Sequence, residues 1–141
     1  MSKEFELHKQ LPDAVFDRAM DKTGDMIVLH PLDRVEQTVV LVYHILGLAG
    51  GMGLDEMLDD EMDADPGYVL TIKAFREIGA NEMADILEEG IARKTLITIG
   101  TDSSSMRDFD ELNEEFVARE RECVMQMARY VAANGAEKGQ A

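Results

Sequence analysis

The chain has no tryptophan, one cysteine, three prolines and few aromatics of any kind, three Tyr and five Phe. A lone thiol, Cys123, cannot form an internal disulfide, which excludes the cross-linked frameworks of small secreted domains and points to a reducing, cytoplasmic setting. Without large aromatic anchors the core must be aliphatic, helped by ten methionines whose flexible thioethers fill gaps without fixing one geometry. Positive charge is also in deficit: 14 Lys and Arg stand against 29 Asp and Glu, a formal net charge of -15. Nucleic acid binds proteins by exchanging its counterions for Lys and Arg, so this sign argues against direct binding to DNA or RNA. It favours a basic partner surface, a divalent cation, or simple solubility. Long apolar runs are missing as well. The best stretch, Thr38 to Gly53, is interrupted by Tyr43, His44 and several glycines, and reads as too short and too polar for a membrane span. The N-terminal MSKEFELHKQ has no apolar secretory core, so no signal peptide is expected.

What is present is enough for one globular domain: 141 residues, 45% of them hydrophobic. Apolar positions recur at helical spacing throughout. Pro12 suits the first turn of a helix carrying Ala14, Val15, Phe16 and Ala19, ending near Lys22 before Thr23, Gly24 and Asp25. A second start signal, His30-Pro31-Leu32-Asp33, opens the widest stripe: Leu32, Val35, Val39, Val42, Ile45, Leu46 and Ala49. Its breadth predicts a central helix buried on most sides and stopped by Gly50 and Gly51. Leu54, Met57, Leu58 and Met62 then give a short amphipathic helix, and Tyr68 to Ile78 another, with Gly79 as a left-handed cap. Asn81 is placed to cap the next, which carries Met83, Ala84, Leu87 and Ile91. Thr95 to Ile99 is β-branched with no second strand to pair with, and reads as an extended or partly helical connector. Leu112, Phe116, Cys123, Met127 and Val131 mark one long final helix. The expected fold is therefore all-α: a single compact domain of about six helices over residues 11–134. It contains a buried central helix 31–49 and a long C-terminal helix 108–133, between a flexible N-terminus (1–10) and a flexible tail (135–141).

The central run AGGMGLDEMLDDEMDADPGYVLTIKAFREIGANEMADILEEGI resembles a family of small all-helical bacterial domains, most of them of unknown function, that includes a DNA-mimic protein. The resemblance rests on the glycine pair Gly50-Gly51, on Ala74, Phe75, Ile78, Gly79 and Ala80, on Ala84, Ile86 and Leu87, and on Leu112, Phe116 and Tyr130 of the closing helix. It covers roughly residues 30 to 134. These are turn glycines and core positions, so they imply the fold more strongly than the function. Where relatives carry an aromatic and amide-rich segment after the glycines, this chain has Met52-Gly53-Leu54-Asp55-Glu56-Met57-Leu58, and Ala49 stands where Asn is common. The resemblance implies an acidic protein that occupies the DNA-binding face of a regulator.

The residues themselves leave three functions open. From Leu54 to Asp65 the chain holds seven carboxylates, Asp55, Glu56, Asp59, Asp60, Glu61, Asp63 and Asp65, and no basic residue. With Glu36 they make eight acids between Arg34 and Lys73, a stretch free of Lys and Arg. Acids one helical turn apart, such as Asp55 and Asp59, stand about 5–6 Å from one another, close to the spacing of phosphates along a DNA strand. The leading reading is a protein-interaction module, a DNA-mimic-like inhibitor whose acidic face meets the basic surface of a DNA-binding regulator. Further acids on the last helix, Glu111, Glu114, Glu115 and Glu122, extend it. A divalent-metal-binding protein or metal-dependent enzyme using the same acids is one alternative. A structural or assembly protein with a solvated acidic face is the other, and self-association stays open. Glu61-x-Asp63-x-Asp65 alternates like a calcium loop, but Pro66 and Ile72 stand where that loop needs glycine and a bidentate acid. His8, His30 and His44 lack metal-ligand spacing, and His44 on an apolar helix reads as a core histidine. Cys123 lies on an inward stripe, where a thiol is inert. Ser103-Ser104-Ser105 reads as a loop and helix cap, and Gly50-Gly51-Met52-Gly53 has no lysine to hold phosphate. No catalytic residue, cofactor, resident metal or membrane contact is expected.

Overall fold

The computed structural model describes residues 3–59 and 62–139, with side chains from His8 to Asp59 and from Met62 to Asn134. Among these residues there are six α-helices, one 3-10 turn and no strand. The helices are α1 (Lys3–Thr23), α2 (Arg34–Asp59), α3 (Val69–Glu77), α4 (Asn81–Thr98), α5 (Phe109–Ala118) and α6 (Glu120–Gly139). The turn, Pro66–Tyr68, leads into α3. The all-α class and the helix number are as expected, but the chain is divided differently.

α2 is the centre, touching each of the other five helices. Its expected stripe, Val35, Val39, Val42, Ile45, Leu46 and Ala49, is buried, and Val40 and Leu41 are buried beside it. The stretch that reads as too short and too polar for a membrane span lies in a 26-residue helix that, by length and composition alone, is apolar enough to cross a bilayer, although half of its apolar window lies inside the fold. The helix begins with a reciprocal cap. The Asp33 carboxylate accepts the Glu36 amide N–H at 2.8 Å, and the Glu36 carboxylate accepts the Asp33 amide N–H at 2.9 Å.

The expected stop at Gly50-Gly51 is corrected. Both residues are helical, and a Cβ on either would meet nothing within 4 Å. The break comes at Gly53, whose φ of 83° and ψ of 162° fall in a region that only glycine occupies without strain. The bend frees the Leu54 amide, which donates to the Asn113 side chain on α5 at 3.2 Å. What the sequence presents as a separate helix after the glycines is the far limb of α2. Gly53→Ala is expected to destabilise by about 1–3 kcal/mol, the cost of forcing a side chain into that region. Gly50→Ala and Gly51→Ala should instead stabilise by about 0.5–1 kcal/mol each in urea unfolding. Equal losses at all three positions would contradict a single bend at Gly53.

Other boundaries shift for physical reasons. α1 starts at Lys3, so Pro12 lies inside the helix rather than in its first turn, where it removes one backbone hydrogen bond and crowds the preceding turn. Gly79, at φ 89°, ends α3 as expected: the Ala80 amide reaches back to the Phe75 carbonyl at 2.8 Å. The residue at the cap of α4 is Ala80, not Asn81, and no side chain bonds there. α4 absorbs Thr95 to Thr98, with the Thr95 hydroxyl donating to the Ile91 carbonyl at 3.0 Å. A β-branched run with no strand to join simply extends the helix. The serine loop is held from inside by Arg93, which donates to the carbonyls of Ser103, Met106 and Arg107. The cap of α5 is Asp108, accepting the Glu111 amide at 2.9 Å, rather than a serine.

The expected long helix 108–133 is two helices meeting at Arg119 (φ -95°, ψ 0°). The apolar stripe lapses there, from Phe116 to Cys123, across the charged run Arg119-Glu120-Arg121-Glu122, but the run contains no helix breaker and the packing fixes where the joint falls. On one side Phe116 meets Phe75 of α3, ring centroids 5.8 Å apart. Beyond it Cys123, Met127 and Val131 are buried where α6 lies along α1. α6 also continues past the expected stop at Asn134-Gly135, and the Asn134 side-chain Nδ2 donates back to the Tyr130 carbonyl at 2.9 Å.

Candidate partner-binding acidic face

The bend at Gly53 aims the last turns of α2. Leu54 and Met57 are fully buried and Leu58 is half-buried, which turns Asp55, Glu56 and Asp59 outward, all exposed. Asp63 is exposed in the turn that follows, and Met62 beside it is buried. Asp60 and Glu61 lie outside the described residues. The amphipathic reading of this segment therefore holds at each position that is described.

Asp55 and Asp59 do not stand free. Both pair with the Lys94 ammonium of α4, Asp59 at 2.6 Å. Lys94 in turn sits over the Phe109 ring, 4.9 Å from its centroid. Its partial burial works against the charge, but the two aspartates outweigh this and raise its pKa. Lys94 thus fixes the orientation of the two carboxylates and offsets part of their field. Sequence spacing could not anticipate this cation, because it arrives from a different helix.

Two of the eight acids between Arg34 and Lys73 leave the face altogether. Asp65 is 2% exposed, and its two oxygens accept the Leu70 amide at 2.8 Å and the Thr71 amide at 2.6 Å. It satisfies the start of α3 and has no oxygen turned towards a partner, which corrects its place among the face residues. Glu36 is fully buried, held by the Asp33 amide, Arg18 at 2.7 Å and Lys22 at 2.8 Å. Its signal was present in the sequence as D-x-x-E at a helix start.

α5 brings acids that spacing along one segment could not connect. Asn113 bonds the Leu54 amide, so α5 packs against the bent limb of α2 at that point. Asp110, Glu111 and Glu114 are exposed. Glu115 is not available in the same way, since Arg107 and Arg119 both pair with it.

The groups considered for chemistry are poorly placed for it. Cys123 is fully buried, and burial, with Glu120 and Glu122 nearby, pushes its thiol up to about 12, so it is a protonated thiol at neutral pH. His44 is half-buried, and burial holds its pKa below the ordinary value. Among the described residues no group of three or more His, Cys, Asp or Glu is placed to hold a metal ion. The arrangement can attract and orient a cationic surface.

Comparison with known proteins bears on which family uses such a fold. Curated proteins and solved structures give no match. A family described as DMP19-like protein matches residues 30–134, from just before the α2 cap to the last described side chain of α6. That span contains α2 to α5 and most of α6, with the Gly53 bend and the whole acidic face. The chain belongs to the DMP19-like protein family.

Proposed function

We propose that this protein is an acidic interaction module that works by binding rather than catalysis, covering the DNA-binding surface of a cytoplasmic DNA-binding regulator. The observation that carries this is the outward set Asp55, Glu56 and Asp59 on a bent, buried-backed limb packed against α5, with Asp63 exposed in the turn that follows. The net charge of -15 and membership of a family that includes a DNA-mimic protein support it. Long-range attraction steers a cationic partner onto such a face, and dissolved ions screen it, so association is fast and salt-sensitive. Asp55 and Asp59, held one turn apart by Lys94, present two carboxylates in fixed register.

The test is capture from a lysate of the native host at low salt, with release by a salt gradient and identification of what is retained. A DNA-binding protein is expected to be retained by the wild-type chain and lost from the Asp55→Asn, Glu56→Gln, Asp59→Asn, Asp63→Asn variant. Retention unchanged in that variant would overturn the reading. These side chains are exposed, so the variant should still melt cooperatively, with a modest fall in melting temperature from the lost pairs to Lys94, and a folded variant that no longer retains the partner separates lost binding from lost folding.

A further inference from the structure

Next to the acidic limb lies a shallow groove of about 280 Å³ between the α2–α3 turn and the end of α4. Its walls are Leu58, Tyr68, Ile91 and Ile99, with Thr95 and Thr98 along the floor edge. Ile99 is 65% exposed, and Val69, next to Tyr68 in the chain, is 67% exposed. Single exposed apolar residues are ordinary, but Ile99 lines a concavity together with Leu58, Tyr68 and Ile91. Lys94 also lines it, and its ammonium is already committed to Asp55 and Asp59. The loop carrying Asp63 is closed at its base by the Tyr68 hydroxyl, which donates to the Met57 carbonyl at 2.8 Å. Two carboxylates, Asp55 and Asp59, against one ammonium therefore border an apolar hollow.

We propose that this groove takes one large apolar side chain projecting from a cationic segment of the partner protein. The inference rests on the acidic-face reading and adds what that reading lacks, a source of specificity. Carboxylates alone bind any polycation, whereas an anchor residue in a desolvated hollow selects one partner. The volume, at the low end of the range of about 300–1,000 Å³ typical of small-molecule sites, accommodates a leucine or methionine side chain. The acidic border repels an anionic lipid or fatty acid and attracts the Lys or Arg neighbours of such an anchor. The apolar contact also differs from the acids in its response to salt, because screening weakens charge and leaves burial intact.

The experiment uses two short helical peptides with identical Lys and Arg content, one carrying a central leucine and the other serine at that position. Affinity is measured at low salt and at roughly 0.5 M salt, where charge attraction is largely screened, and the isoleucine methyl NMR shifts locate the contact. The leucine peptide is expected to bind about tenfold more tightly, a fraction of the burial energy of one leucine, and to keep that margin at high salt. Ile91 and Ile99 methyls should shift with the leucine peptide alone. Thr98→Trp, which fills the groove from an exposed position, and Ile99→Ser should each erase the margin while leaving the serine peptide's affinity unchanged. Equal binding of both peptides with unmoved methyls would overturn the groove and leave the acidic face standing. Binding of neither would overturn both. Methyl shifts that follow the protein's own concentration without peptide would overturn the proposal in favour of a second copy as the occupant.

Discussion

Glu36→Ala is expected to lower stability by about 2–4 kcal/mol, among the largest effects of any acid-to-alanine change in this chain. The carboxylate is completely buried and accepts from three donors, the Asp33 amide, Arg18 and Lys22. Alanine leaves that amide without its partner, empties the volume and unlatches α1 from the start of α2. The expectation sits below the usual cost of opening a buried ion pair because Arg18 and Lys22 are 42% and 43% exposed and can turn to water. For the same reason Arg18→Ala and Lys22→Ala should each cost under about 1 kcal/mol. The contribution is pH-dependent. Burial opposes Glu36's charge, but Lys22, the Asp33 amide and Arg18 outweigh it and hold the folded pKa below the ordinary 4.5. The stabilisation is therefore complete above the unfolded value and is lost as pH falls through the lower folded value. In urea unfolding across acid pH, Glu36→Gln should start lower than wild type and lose less on acidification. An acid limb parallel to wild type would contradict this account of Glu36.

Asp65→Ala is expected to cost about 2–3 kcal/mol, from two charge-assisted bonds to the amides of Leu70 and Thr71 inside the fold. For a chain of this size that is a fall in Tm of about 5–10 °C. Asp63→Ala, two residues away and exposed, should stay within about 0.5 kcal/mol of wild type. The two should separate in the opposite sense in partner capture: Asp63→Ala weakens it, and Asp65→Ala leaves it intact wherever the protein remains folded. Thermal melting and capture together decide the assignment. If Asp63→Ala proved the more destabilising of the pair, the division between a structural and an exposed aspartate would be wrong.

This pair also shows where sequence reading stops. Asp63 and Asp65 are the same residue type at alternate positions of one polar stretch, and only the backbone path into α3 makes one a cap and the other a surface charge. Gly50, Gly51 and Gly53 are equally able to break a helix by composition, and tertiary contact with Asn113 chooses Gly53. The joint at Arg119 has no Gly or Pro near it, and the one signal there, the charged run Arg119-Glu120-Arg121-Glu122 that interrupts the apolar stripe, fits an exposed turn of one continuous helix equally well. By contrast the central helix was legible, because a stripe that wide needs neighbours on every side. Gly79 was legible too, since a left-handed cap strongly favours glycine. For the acidic face, the outward set along α2 could be read from period alone. Lys94 could not, because it comes from another helix.

The measurement that tests the central claim most directly is competition on the immobilised protein. A captured DNA-binding partner is challenged with excess duplex DNA at constant salt. If the acidic face occupies the partner's DNA-binding surface, duplex DNA releases the partner in proportion to its concentration, and the partner cannot hold both at once. A partner that stays bound while also taking up the duplex would contradict mimicry, and the carboxylates would then serve a contact elsewhere on it.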